Sequence, residues 1–379
     1  MGDALLSRIL DAIENLSEPH SPLRINQICQ LAVIEAGMVA ATLDDATSSR
    51  LAKPLAHLWF DEHALSPAAD SGLLALRLTP DSVRAAVRRH GTMHVDRVEV
   101  SRLSRFGNAI IQLVNAMDLA NAVGAREVSV VGAWFLPMGD TDIAGVTVIN
   151  HATPEARAQA SQAAVTLAGV MFNRNDLLPA VAHHVSGSVV SALGAALTVP
   201  RLDPLPPDHL VIHVRAGDIF ASANPAPTYG QPPLAFYQRL LQHAPWSAVT
   251  VVYEDTGNPV VEPLLTQCRA LGLTTHSVSG DLADDLAVVL SARTLACGWG
   301  TFGFVVAGLS EHCSTFVSFD SVQVPLGGRP MSILVATDLR GGYREAVLSG
   351  NWANTPQQRD LMLNYRVDDV SEVGFAPRD

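Results

Sequence analysis

Apolar residues fall at helical spacing over the first part of the chain, and helical and strand patterns alternate over the rest. "DALLSRILDAIENL" and "INQICQLAVIEAGMVAATL" both carry the one-sided apolar spacing of helices. "TPDSVRAAVRRHG" follows with a Thr or Asp cap, a helical run and a Gly stop. Residues 1–92 are therefore expected to be a helical N-terminal extension that packs or binds a partner. The pattern then changes. "HVDRVEV" alternates as a strand does, "SRLSRFG" is a loop, "NAIIQLVNAMDLANAVG" is a helix ending at Gly124, and "REVSVVGAWF" is a second strand. That is a βαβ opening. "AGVTVIN" adds a strand, and "PEARAQASQAAVTLAGVMF" and "LLPAVAHHVSGSVVSALGAAL" are predicted as helices. Residues 93–205 form the first expected Rossmann-like domain.

The proline-dense "VPRLDPLPPDHL" predicts a linker. Beyond it the alternation is regular. Strands "LVIHVR", "AVTVVYE", "TTHSV", "TLACGW" and "STFVSF" are separated by helices "PLAFYQRLLQHA", "VVEPLLTQCRALG", "LADDLAVVLSA" and "TFGFVVAGLS". Residues 206–345 thus predict a second Rossmann-like domain, a parallel sheet wound with helices. Residues 346–379 predict a partly helical tail that packs back on the first domain.

Composition narrows the function classes. The chain has 379 residues, 48% hydrophobic and 16% charged, which suits a folded protein of two domains. Its net charge of −12 argues against nucleic acid as a partner. It leaves room for an anionic ligand in a local basic pocket. The start "MGDALLSRILDAIENL" carries Asp3 and no long apolar run, so no secretory leader is expected. No stretch reaches the roughly 18 apolar residues of a membrane span. Cys29, Cys268, Cys297 and Cys313 are scattered without zinc or disulfide spacing. A reduced, cytoplasmic protein is the expectation.

Candidate chemistry gathers at predicted strand ends. In "VIHVRAGDIF" His213 and Arg215 share one strand face. Arg215 stands at the carboxyl end, where open α/β sheets bind ligands, and a guanidinium grips phosphate bidentately. Gly217 admits an anion close to the backbone, and Asp218 orients Arg215 or a ligand hydroxyl. The same residues also suit an Arg215–Asp218 pair that only pins the loop. In "CGWGTFGF", Thr301 opens a helix after a glycine turn, either as its cap or as a phosphate donor. Asp284 and Asp285 stand in the first turn of a helix, as dipole partners or as a base or ribose contact. Glu254 and Asp255 follow a strand. Gly107 and Asn108 occupy the matching strand-to-helix turn of the first domain. The Asp140-x-Asp142 pair suits a surface turn better than a metal, and His183–His184 diverge on a helix.

Together these pieces resemble the fucosyltransferase superfamily, which includes α1,2-, α1,6- and protein O-fucosyltransferases. "IHVRAGDIF" is similar to its His-x-Arg-x-Gly-Asp motif, "SRFGNAIIQLVNAMDLANAVG" to its N-terminal Gly-x-Gly-Asn segment, and "DDLAVVLSARTLACGWGTFGF" to its third motif. "VVYEDTGNP" falls where the family has an acidic pair, and the order agrees over roughly residues 94–320. The resemblance implies a GT-B fold of two facing Rossmann-like domains. It implies an inverting, metal-independent glycosyltransferase with no cofactor, moving fucose from GDP-fucose to a glycan, protein or small-molecule hydroxyl. Arg215 would neutralise the β-phosphate, Thr301 and Phe302 would line the diphosphate, and Asp285 would meet the base or ribose. His213, Gly217, Asp218, Glu254 and Asp255 would complete the donor site, with Gly107 and Asn108 approaching from the other domain. One departure touches sugar choice: many relatives have a second basic residue after the motif arginine, and here it is Ala216. Asp140, Asp142 and Glu254 are the candidates for general base. Two other readings stand beside this one. One is a non-catalytic nucleotide-sugar-binding or interaction protein that keeps the fold; the other is a metal-dependent transferase using Asp140 and Asp142.

Overall fold

The computed structural model describes residues 75–77, 95–161, 166–172 and 185–376. The chain divides into two α/β units, Met1–Thr198 and Val199–Asp379.

The first unit is built on β1 (Ala75–Arg77), β2 (Arg97–Val100), β3 (Glu127–Val131), β4 (Gly139–Ile143), β5 (Val146–His151) and β6 (Thr166–Gly169). The sheet order is β1-β6-β2-β3-β5-β4. The four middle strands are parallel, and β1 and β4 pair antiparallel at the edges. Helix α1 (Phe106–Val123) returns the chain from β2 to β3. It stops at Gly124, whose φ of 73° belongs to the left-handed region. Helix α2 is Pro154–Ser161, and α3 is Gly187–Ala196 with Ser186 accepting from the Val189 N–H. The chain leaves β2 in one direction and β6 lies on its other side, so the winding reverses between these two strands.

Three expectations change in this unit. The helix predicted over 154–172 ends at Ser161, and Thr166–Gly169 is a strand buried at every position. An interior parallel strand covered on both faces has no polar alternation to announce it. Strand β1 lies inside the stretch expected to be a helical extension and joins the sheet; the rest of 1–94 lies outside the described residues. The "GDTDIAG" segment is an edge strand rather than a turn alone, with Asp140 and Asp142 in β4 and the reversal at Ala144–Gly145.

The second unit carries β7 (His209–Val214), β8 (Ala248–Tyr253), β9 (Thr274–Val278), β10 (Thr294–Cys297), β11 (Thr315–Phe319), β12 (Ser332–Ala336) and β13 (Gly374–Phe375). Its order is β13-β12-β11-β10-β7-β8-β9, parallel except for β13. The winding runs outward from β7 through β8 to β9, then jumps back to β10 on the other side of β7. The gap above β7 and β10 is the place where such sheets hold ligands. Helices α4 (Asp218–Ala221), α5 (Leu234–His243), α6 (Val261–Ala270), α7 (Leu282–Ser291), α8 (Thr301–Leu309), α9 (Gly342–Val347) and α10 (Pro356–Asn364) complete the unit. The core includes Leu210, Ile212, Phe236, Val251, Leu264, Phe319 and Tyr343, all fully buried.

The tail belongs to this second unit, against the expectation that it packs on the first. Strand β13 extends the sheet from β12. Trp352 is 1% exposed, meets Phe220 edge-on at 5.2 Å and donates to the Ile219 carbonyl at 3.1 Å. Asn354 and Arg359 both donate to the Phe220 carbonyl at 2.8 Å. A stretch rich in Asn, Gln and Arg hides its role at the sequence level, because its contribution is hydrogen bonds to distant carbonyls around one tryptophan. Among the described residues, no helix is long and apolar enough to cross a membrane.

Candidate functional site

The site starts at the end of β7. His213 is the fifth residue of that strand, and its ring stacks on Phe302 at 4.3 Å. Burial, and then the neighbouring Arg215, hold its pKa down at about 3. It is a neutral ring over the whole physiological range, able to give or take a hydrogen bond but not to add charge. Two residues on, the chain passes through Arg215 and turns at Gly217.

Gly217 has φ 65° and ψ −129°, a conformation essentially reserved for glycine. An added Cβ would also collide with the Glu254 carboxylate. The loop after β8 grips this turn. Asp255 accepts from the Gly217 N–H at 3.3 Å and the Gly257 N–H at 2.7 Å. Buried Asn258 donates to the Arg215 carbonyl at 2.9 Å and accepts from the Val260 N–H at 3.0 Å. Asp255 and Asn258 therefore position the arginine through its backbone. The carboxylates of this loop stand out in the sequence and Asn258 does not, its signal being only an Asn-Pro step just before a helix.

Arg215 itself is held loosely at its tip. Its Nη2 meets Asp218 Oδ1 at 3.4 Å, the long end of a charged hydrogen bond. Its guanidinium lies over the Tyr229 ring, 4.6 Å from the centroid, a cation–π contact. Its Nε is buried and has no hydrogen-bond partner. A buried N–H of a charged group without an acceptor is costly, and an anion at this position would supply the acceptor. Tyr229 went unnoticed in the sequence because it sits in a Pro-rich loop with no periodicity.

The other wall is the start of α8. Gly300, with φ 133°, is the N-cap, and Thr301 is the first helical residue, so Thr301 is not the cap that its spacing suggested. A Cβ on Gly300 would stand 3.2 Å from Arg215 Nη1. The guanidinium and the positive end of α8 thus meet with only a glycine between them, an arrangement that favours an anion.

Carboxylates occupy the far side. Asp281 caps α7 by accepting from the Ala283 and Asp284 N–H groups. Asp285, one turn in, is buried, and its Oδ1 has no partner. Burial pushes its pKa up to about 6; a Gly280 backbone hydrogen bond opposes the rise, and the carboxylates of Asp281, Asp284 and Glu254 add to it. Its folded value stands above the unfolded 3.8. Its contribution to stability is therefore full at low pH and is lost as pH rises from about 4 through about 6. Asp285→Asn should flatten thermal stability against pH over that window and raise it near pH 7–8. An unchanged profile in the Asn variant would place the titration elsewhere.

Asp284 is exposed beside its buried neighbour, in keeping with a dipole partner. In the first unit, Arg105 is the N-cap of α1, so Gly107 and Asn108 are the second and third helical residues rather than part of the turn before it. Buried Gln112 secures the loop before them. It donates to the Arg102 and Val170 carbonyls at 2.9 and 2.6 Å and accepts from the Ser104 N–H at 2.9 Å. Asn115 adds a bond to the Met171 carbonyl at 2.8 Å. These two amides tie together the loops that leave β2 and β6, where the winding reverses. A polar pair on the apolar face of "NAIIQLVNAMDL" was the signal for them. Asp140 and Asp142 are exposed, and Asp142 accepts from the Gly145 N–H at 3.3 Å, which serves the hairpin. His183 and His184 lie outside the described residues.

No protein-family model matches the chain, and no curated protein matches it. Among solved structures, the chain is similar to the NodZ α-1,6-fucosyltransferase soaked with GDP-fucose, at 13% identity over 60% of this chain and 95% of that one, TM-score 0.36. It is similar to the E. coli heptosyltransferase WaaC with ADP, at 13% identity over 69% and 98%, TM-score 0.36. It is also similar to a family 9 glycosyl transferase from Veillonella parvula, at 14% identity over 73% and 98%, TM-score 0.36.

Proposed function

We propose that the second unit holds the diphosphate of a nucleotide sugar above β7 and β10, and that the chain is a glycosyltransferase. One observation carries this: the Arg215 guanidinium, with its unpartnered buried Nε, stands beside the N-terminus of α8 where the sheet winding reverses. The similarity of the motifs around Arg215, Asp285 and Thr301 to the fucosyltransferase superfamily supports it and makes GDP-fucose the expected donor. The acceptor is a hydroxyl of a glycan, protein or small molecule.

The chemistry follows from the charges. The acceptor oxygen forms a bond to the anomeric carbon from the face opposite the leaving group, and the bond from that carbon to the β-phosphate oxygen breaks. The electron pair stays on the diphosphate, and the acceptor's proton passes to a base. Arg215 and the α8 N–H groups answer charge that grows as the bond breaks, so they stabilise the transition state more than the bound donor. With the cation supplied by Arg215, transfer proceeds without a metal.

A thermal-shift series with GDP, UDP, ADP and GDP-fucose tests the reading, followed by donor turnover with and without EDTA. At 100 times its dissociation constant a ligand stabilises by about 2.7 kcal/mol. GDP and GDP-fucose should shift the midpoint most, and EDTA should leave turnover unchanged. Equal or larger shifts from UDP or ADP would overturn the guanine assignment. Binding of GDP-fucose with no nucleotide release, acceptor mixtures included, would favour a non-catalytic binding protein.

A further inference from the structure

A recess of about 380 Å³ opens on the β10–β11 side of Arg215, walled by Tyr229, Trp299, Thr301, Phe304, Gln323 and Val324. Gly300 belongs both to this wall and to the Arg215 contact: a Cβ there would stand 3.2 Å from Arg215 Nη1 and 3.8 Å from Tyr229 Cε1. The recess therefore begins where the anion site ends. Its walls are fixed from behind. Gln231 donates to the Tyr229 and Trp299 carbonyls at 2.9 and 3.1 Å, and Tyr343 donates to the Gln231 carbonyl at 2.6 Å.

The lining contains three aromatic rings, two threonines and an amide, and no charged side chain. A mostly apolar wall with a few polar groups is the usual make-up of a small-molecule pocket. Such a wall suits a neutral ring with one apolar face and hydroxyls at its rim. A charged ring would lose water there and gain no partner. The opposite, β8–β9 side of Arg215 holds Glu254 and Asp285, whose buried Oδ1 lacks a donor. A ring rich in N–H groups, such as guanine, belongs on that side.

We infer that the recess beside Gly300 takes the neutral pyranose of the donor, with the nucleobase on the Asp285 side and the diphosphate at Arg215. This rests on the nucleotide-sugar function proposed above. It makes Trp299, Gln323 and Val324 the residues that set which sugar is accepted.

Val324 is 59% exposed, so Val324→Trp fills the recess without disturbing the core. Dissociation constants of GDP and GDP-fucose are measured by calorimetry for the wild type and this variant. The expected result is an unchanged GDP constant and a GDP-fucose constant raised at least ~10-fold, the scale of losing one good ring contact. An equal loss for both ligands would place the nucleobase in the recess and overturn the inference. No change for either would overturn it too, by leaving the donor outside the recess. Failure of the wild type to bind either ligand would instead remove the function on which the inference rests.

Discussion

Arg215→Ala should fold normally and lose turnover by about 10²–10³, the usual cost of removing one donor to a developing oxyanion. The fold should survive because the Arg215–Asp218 contact is long and partly exposed, and exposed pairs contribute about 0–1 kcal/mol. Arg215→Lys should be nearly as damaging. An ammonium keeps the charge but loses the planar fork and the face that lies over Tyr229. The loss should appear in kcat for nucleotide release from GDP-fucose more than in KM, because the charge it answers grows during bond breaking. Near-normal turnover in a folded Arg215→Ala protein would reduce the motif to a strand end with a loop-pinning ion pair.

Trp352→Ala should have the largest effect on stability. Its ring is 1% exposed, and truncating a buried Phe or Trp to Ala costs about 3–5 kcal/mol. The Ile219 carbonyl would also lose its donor. For a unit of this size that corresponds to a drop of roughly 6–20 °C in Tm. A saturating nucleotide should recover part of the loss by binding only the folded form. A calorimetric scan showing wild-type melting of the second unit would contradict the packing of the tail on Phe220.

The parts of the site legible in the sequence were those that obey local rules. Arg215 follows an apolar strand, Gly300 and Thr301 follow another, and strand-to-helix punctuation placed both at carboxyl ends. What was illegible depends on partners far along the chain. Asn258 acts on the Arg215 carbonyl, Gln231 on the Trp299 carbonyl and Trp352 on the Ile219 carbonyl. Each is a single polar atom meeting a backbone group, and no periodicity encodes that. Strand β6 failed for another reason: Thr166–Gly169 is short and buried on both faces without a polar alternation, so the pattern of a neighbouring alanine-rich helix absorbs it. The strand order was also hidden, because alternation gives the elements but not the side on which each one joins the sheet.

The grip of Trp352 on Ile219 has a consequence for synthesis. The two residues are separated by 133 positions. At about 5–20 residues per second on the ribosome, the turn after Arg215 emerges roughly 7–27 s before the residues that hold it in place. Throughout that interval Ile219 and Phe220, both buried in the finished unit, lack the tryptophan that donates to one and packs on the other. Substitutions in 352–359 should therefore reduce the yield of soluble protein before they alter the activity of the molecules that do fold.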